Sequence, residues 1–419
     1  MTKVPKYAAG IGLIVGTLAC APMASAQSAN VLGEWNQALQ SASPVLWRPY
    51  AMVHIAMFDA INSIERGYTP FRVQVRGSAG ASPEAAAAQA AHDILSALFP
   101  ARQAEFSELL DSQLTGIPLG LARQGTAIGR RVAAEILTWR QNDGWPPMVS
   151  PDPTYVLPPL PGLWQPTPPA NSFPTFTFYG QALPFALLTP TQFLPVAPPT
   201  LTSERYAADF NETKAVGSAT STVRMPEQTL LAQLFAGVNA LPNFIGVWNN
   251  VTRDVAEGQG LSLLDTARLF ALVNVSFNDG IQTSFTSKFV YDLWRPVTAI
   301  RRANEDLNDA TEADPAWTPL LGTPPYPTYA GNAACLSAAA SRALALALGR
   351  DDIAFSVTWI RPAPLPNETR QYTGFAQLAE QQARSRVHGG IHFQFDSDAS
   401  VSACTQVADY IVAHYMLPR

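Results

Sequence analysis

The sequence predicts an all-α fold, a bundle of about ten helices. Apolar residues recur at helical spacing through most of the chain, strand-like alternation is rare, and alanine fills the apolar faces so that helices can pack closely. Taken in order, the helical segments are 45–66, 83–98, 119–139, 203–216, 226–241, 261–279, 333–348, 369–386 and 400–416, with a further helix expected around 288–295. Residues 141–200 break the rhythm. They hold 16 of the 36 prolines, interleaved with Trp145, Tyr155, Trp164, Phe173, Phe176, Phe178 and Tyr179. Proline at this density excludes regular helix, and so many aromatics argue against a solvated linker. The stretch reads as an ordered excursion across the helical body, a candidate roof for a pocket.

Residues 1–26 have the form of a secretory signal. Lys3 and Lys6 give a basic start, 8–21 is a short apolar run, and Ala24-Ser25-Ala26 makes a small-residue cleavage site before Gln27. The apolar run is too short for a comfortable membrane span, and no other segment is long and apolar enough to serve as one. The expected location is secreted or periplasmic, with 27–419 as a single helical domain. Removing the two lysines takes the formal charge from −5 to −7. A mildly acidic chain with scattered charge is a poor nucleic-acid binder. Beyond Cys20, two cysteines remain, Cys335 and Cys404. They are either a disulfide or two small buried side chains on separate helices.

Two short runs carry the chemistry. Residues 288–296 read KFVYDLWRP, and 385–396 read SRVHGGIHFQFD. They set Lys288, Arg295 and Arg386 beside His392 and Asp396. Three permanent cations that converge suit a multiply charged tetrahedral anion such as phosphate or vanadate. Lys288 and Arg295 are close to two helical turns apart, so one helix face is expected to present both, ending at Pro296, with Asp292 a possible partner. Gly389-Gly390 suggests a tight turn that lets backbone approach a ligand. His392 and Asp396 are four apart, so the carboxylate can fix the imidazole tautomer and free the other nitrogen as nucleophile or ligand. His388 is a candidate stand-in acid, though a surface histidine is the plainer reading. His54 reads as a satisfied core residue, and His92 and His414 carry no signal.

In spacing and residue type these runs resemble the first and third signatures of the vanadium haloperoxidase and type 2 phosphatidic acid phosphatase superfamily, KxxxxxxRP and SRxxxxxHxxxD. Residues 52–62 (MVHIAMFDAIN), 162–169 (GLWQPTPP) and 201–214 resemble its bacterial haloperoxidase-related branch. The resemblance implies a helical bundle with the oxyanion at one end, held by Lys288, Arg295 and Arg386. His392 would bond to vanadium in a peroxidase or attack phosphorus in a phosphatase, with Asp396 behind it. The middle signature, PSGH, is degenerate. After Pro324-Pro325-Tyr326-Pro327-Thr328-Tyr329 come Ala330, Gly331, Asn332 and Ala333, so the serine position is glycine and the acid/base histidine position is Ala333. The backbone N–H groups of Gly331, Asn332 and Ala333 remain as anion donors at a helix start.

The implied cofactor is vanadate, with phosphate as substrate or competitor. The implied partners are hydrogen peroxide and halide, or a phosphate ester. Three functions follow: a weakened peroxide-dependent halide oxidation, an acid phosphatase acting through a phosphohistidine at His392, or a non-catalytic oxyanion binder.

Overall fold

The structure, a computed structural model, describes residues 1, 22–44, 46–76, 80–146, 148–238 and 240–419, and for 22–30 the backbone alone. Among these residues the helices are α1 (Pro22–Ala42), α2 (Arg48–Glu65), α3 (Pro83–Leu98), α4 (Gln103–Leu114), α5 (Leu119–Arg140), α6 (Glu204–Gly217) and α7 (Pro226–Ala236). They continue as α8 (Phe244–Gly258), α9 (Leu263–Tyr291), α10 (Pro296–Arg301) and α11 (Asn332–Leu348). A two-stranded sheet, β1 (Phe355–Trp359) and β2 (Glu368–Tyr372), precedes α12 (Phe375–His388) and α13 (Gln394–His414).

α9 is the spine of the molecule. Apart from Asp265 and Arg268 its residues are buried from Leu263 to Lys288. A helix with no wet face belongs in the middle of a bundle. α2, α11 and α13 pack on it, with α1 and α8 alongside. One hydrophobic cluster runs from Val31 on α1 to Met416 beyond α13. The expected close packing of small residues is clearest between α3 and α5. There a Cβ on Gly125 or Gly129 would come within 2.4 Å of the carbonyl oxygen of Ser82 or Ala86.

Several elements differ from the sequence expectation. The helix expected over 261–279 runs on for three more turns, to Tyr291. Asp279, the last residue of the expected segment, is fully buried, and its carboxylate accepts the N–H groups of Phe185, Ala186 and Leu187 at 2.8, 2.7 and 2.9 Å. The helix expected over 369–386 begins only at Phe375. Residues Glu368–Tyr372 instead pair antiparallel with Phe355–Trp359, which buries every second residue of β1. α7 stops at Ala236 because Gly237 adopts φ +71°, the left-handed stop. Helices α1, α4 and α8 were not anticipated.

The 141–200 excursion is ordered and bonded along its length. Gln282 donates to the carbonyls of Tyr179 and Ala182. Gly162 and Trp164 exchange backbone hydrogen bonds with Trp294 and Asp292. The hydroxyls of Tyr291 and Tyr329 donate to the carbonyls of Pro195 and Val196. Phe176 and Tyr179 pack on Phe285 with ring centres 4.9 Å away in each case. No helix of the described residues is long and apolar enough to cross a membrane. The basic start and apolar run of the leader lie outside the described residues, and its small-residue cleavage site falls within α1.

Candidate functional site

The end of α12 and the start of α13 build the reactive corner. α12 closes at His388, Gly390 turns the chain with φ +73°, and α13 opens at Gln394. This turn carries His392 back over Asp396, with Nδ1 2.9 Å from Asp396 Oδ2. The same carboxylate oxygen accepts the Phe393 N–H at 3.1 Å and the Thr328 hydroxyl at 2.5 Å. Thr328 Oγ1 also lies 3.1 Å from His392 Nδ1. An anion behind Nδ1 places the ring proton there and leaves the Nε2 lone pair free to bond. Burial, reinforced by Arg295, Lys288 and Arg386, holds the imidazole pKa well below its ordinary value, so His392 is neutral. Burial pushes Asp396 up to about 6, against the Thr328 hydroxyl and Lys288. The double glycine serves a different purpose from the one expected. A Cβ on Gly390 would sit 2.3 Å from the Gly217 carbonyl oxygen, so what approaches this backbone is the end of α6.

Arg295 touches His392, Lys288 and His392 both bond Thr328, and the charges of these two cations and of Arg386 depress the imidazole pKa. Lys288 and Arg295, however, do not share a helix face. α9 ends at Tyr291, and Arg295 is the N-cap residue of α10, with Pro296 opening that helix. Asp292 caps α9 and bonds the Tyr155 hydroxyl at 2.5 Å, so it partners the excursion and neither cation. Lys288 is fully buried and donates to the carbonyls of Thr328 and Ala330, both at 2.7 Å. A lysine has three N–H donors, so one remains for a ligand. Burial and the neighbouring Arg295 lower its pKa. Arg295 donates from Nε to the Tyr326 carbonyl at 2.7 Å and from Nη1 to the Ile391 carbonyl at 2.8 Å. The same Nη1 lies 3.2 Å from His392 Nε2. Its Nη2, and Nε and Nη1 of Arg386, are sealed from solvent with no hydrogen-bond partner among the described residues.

Unpartnered guanidinium N–H groups in the interior are expensive, and they suit an anion that arrives with its own oxygens. No group of three His, Cys, Asp or Glu able to hold a metal cation lies among the described residues. Among the groups this corner leaves open are N–H donors on arginine.

The degenerate middle segment keeps its place. Ser284 donates to the Ala330 carbonyl and Ser287 accepts the Ala330 N–H, both at 2.9 Å, next to the two Lys288 bonds. Gly331 is the N-cap of α11, and its N–H donates to the Asp396 carbonyl at 3.0 Å. It is thereby lost to an anion, contrary to expectation, and the amides of Asn332 and Ala333 are left as the helix-start donors. Ala333 is buried. Thr328, Ser284 and Ser287 were not singled out from sequence. Thr328 sits inside the recognised approach to the middle signature, and a hydroxyl two residues before Ala330 was its one signal.

The remaining candidates fall away from the corner. His388 is largely buried and not a surface residue. Its charged neighbours are Arg384, Glu212 and Arg224, and burial lowers its pKa to about 4, so it does not replace the missing acid. His54 is a core residue stacked on Phe270 at 4.8 Å, but both ring nitrogens lack partners, so it is not satisfied. His92 bonds Asp93 and Ser107, and His414 bonds the Tyr410 carbonyl. Cys335 and Cys404 are joined, tying α11 to α13 with Cα atoms 5.2 Å apart.

Residues 268–418 match the family described as VCPO second helical-bundle domain. The chain is similar in structure to the first bacterial vanadium-dependent iodoperoxidase, with a TM-score of 0.79 and 22% identity over 93% of this chain and 98% of that one. It is also similar to a bacterial vanadium-dependent chloroperoxidase. The holo form gives a TM-score of 0.69 and 16% identity over 87% and 90% of the two chains. The apo form gives 0.69 and 17% over 88% and 92%. No curated protein matches the sequence. Residues 268–418, which carry every candidate site residue described above, match the VCPO second helical-bundle domain, and the chain as a whole has the fold of the bacterial vanadium-dependent peroxidases.

Proposed function

We propose that this corner binds a tetrahedral oxyanion, vanadate first among them, and that the protein is a haloperoxidase-like protein whose peroxide-dependent halide oxidation is weakened at position 333. One observation carries the reading. Sealed, unpartnered N–H groups remain on Arg295 and Arg386, and Arg295 Nη1 lies 3.2 Å from Nε2 of the neutral His392, the nitrogen that would bond the anion. Vanadate bound there would supply peroxide activation for oxidation of a halide. Lys288, Arg295 and Arg386 would hold the negative oxygens, and His392 would supply the bonding nitrogen, steadied by Asp396 and Thr328. Amides at 332 and 333 can donate hydrogen bonds but cannot hand over a proton at neutral pH. General acid–base help is worth roughly 10² to 10⁴ in rate, which sets the scale of the expected deficit.

The same neutral imidazole favours a second reading, phosphoester hydrolysis through a phosphohistidine at His392. Without a side-chain acid at 333, aryl phosphates with good leaving groups should react far faster than alkyl phosphates. A secreted or periplasmic setting accords with the Cys335–Cys404 bond.

Titration calorimetry with vanadate, followed by a bromide and peroxide assay with vanadate added, separates the readings. Tight binding with weak turnover is expected, and turnover should rise in Ala333→His. Tight binding with no turnover in either protein leaves a non-catalytic binder. No binding at all overturns the proposal.

A further inference from the structure

Resting on the oxyanion reading above, one phenol stands against two cations of the site, Lys288 and Arg295, without an assigned part. Tyr326 lies in the approach to the middle segment, and its carbonyl anchors Arg295 Nε at 2.7 Å. Its ring centre is 5.4 Å from Lys288 Nζ and 4.9 Å from Arg295 Cζ. The ring is 9% exposed and packs edge-on against Phe285 at 5.0 Å and Phe176 at 6.1 Å, so its direction is fixed by the core and by the excursion.

We propose that Tyr326 supplies the side-chain hydroxyl that donates to the bound oxyanion, the part left open by Gly331 and Ala333. An anion drawn between Lys288, Arg295 and Arg386 comes up against the aromatic residue that borders the first two. A hydroxyl facing an anion makes a short, charge-assisted bond. The alternatives are poorer. Gly331 has no hydroxyl and its amide is spent on Asp396. Thr328 Oγ1 is committed to Asp396 and His392.

The test is vanadate titration calorimetry on the full chain. Tyr326→Phe keeps the ring and removes the donor, and its affinity should fall roughly tenfold or more. Tyr326→His, which retains a donor, should stay much closer to the unmodified protein. Tyr179→Phe is the control. That ring also stacks on Phe285, its hydroxyl is sealed without a partner, and its loss should leave affinity unchanged. A second readout needs no variant of the site itself. A tyrosine Cζ resonance of the unmodified protein should move when vanadate is added. Equal affinity in the unmodified protein and Tyr326→Phe, or a tyrosine spectrum that vanadate does not move, overturns the inference alone. An unmodified protein that binds no vanadate overturns it together with the oxyanion reading.

Discussion

Arg140 is drawn out of water whole and Arg386 in part, with Nε and Nη1 sealed, and the protein treats them in opposite ways. Arg140, at the end of α5, is 1% exposed. Its Nε meets Asp143 at 2.8 Å, and Nη1 and Nη2 meet the carbonyls of Pro184 and Leu183 at 3.0 and 2.6 Å. Its guanidinium also lies 3.9 Å from the Phe185 ring centre. Arg386, in the last turn of α12, has Nε and Nη1 sealed with no partner, and no carboxylate forms an ion pair with it. The first charge is fully answered by the fold and pins the Pro-rich excursion to α5. The second is only partly answered, because the fold holds it ready for something else. Burial alone does not separate structural from functional charge. The state of the hydrogen-bonding groups does.

The largest expected effect concerns Arg140. Arg140→Met strands the carbonyls of Pro184 and Leu183 and leaves Asp143 to Arg48, 2.6 Å away, so urea unfolding should show a loss of about 2–4 kcal/mol, one to two for each stranded carbonyl. A loss below about 1 kcal/mol would break the contrast, since surface pairs contribute that little.

Arg386→Met should do the reverse. Its unfolding midpoint should hold or rise, while vanadate affinity drops roughly a hundredfold, the scale for losing one partner of a desolvated charge pair. A destabilised protein with unchanged affinity would show that this arginine is structural after all.

The smallest effect sharpens the rule for neutral groups. His54 has no partner at either ring nitrogen, yet no cation lies against it, and burial pushes its pKa from 6.5 down to about 3. Between those values the unfolded chain binds a proton that the folded protein refuses. The contribution of His54 is therefore full above pH 6.5 and is lost as pH falls toward 3. At pH 5 the loss is about 2 kcal/mol, and His54→Phe, which keeps the stacked ring, should abolish it. Identical pH profiles for the two proteins would show that His54 is charged within the core, and its partnering would have to be read again.

The anion site was legible because its residue types are unusual where they stand. Two cationic runs with a His and an Asp four apart cannot be mistaken for core, and the structure brings all five residues together. The arrangement within the site was less legible. Lys288 and Arg295 satisfy helical spacing, but the αL residue Asp292 ends α9, and Pro296 starts α10 instead of ending the helix before it. Local period cannot reveal that break, because an aspartate in αL geometry looks like any other aspartate. Asp279 misled in the other direction. It read as a helix end, whereas three amides nearly a hundred residues upstream in the chain make it a helix interior. The 368–372 strand was hidden for a similar reason, since its pairing partner lies in a separate segment.

By itself the sequence determined the helical class, the His392–Asp396 couple and the missing side chains at 331 and 333, because these depend on residue identity and short-range spacing. Only the tertiary structure decided which donors are already spent. Gly331 gives its amide to Asp396, Lys288 gives two of its three N–H groups to backbone carbonyls, and Tyr326 comes to border Lys288 and Arg295. Those outcomes depend on contacts between segments far apart in the chain, and no local pattern encodes them.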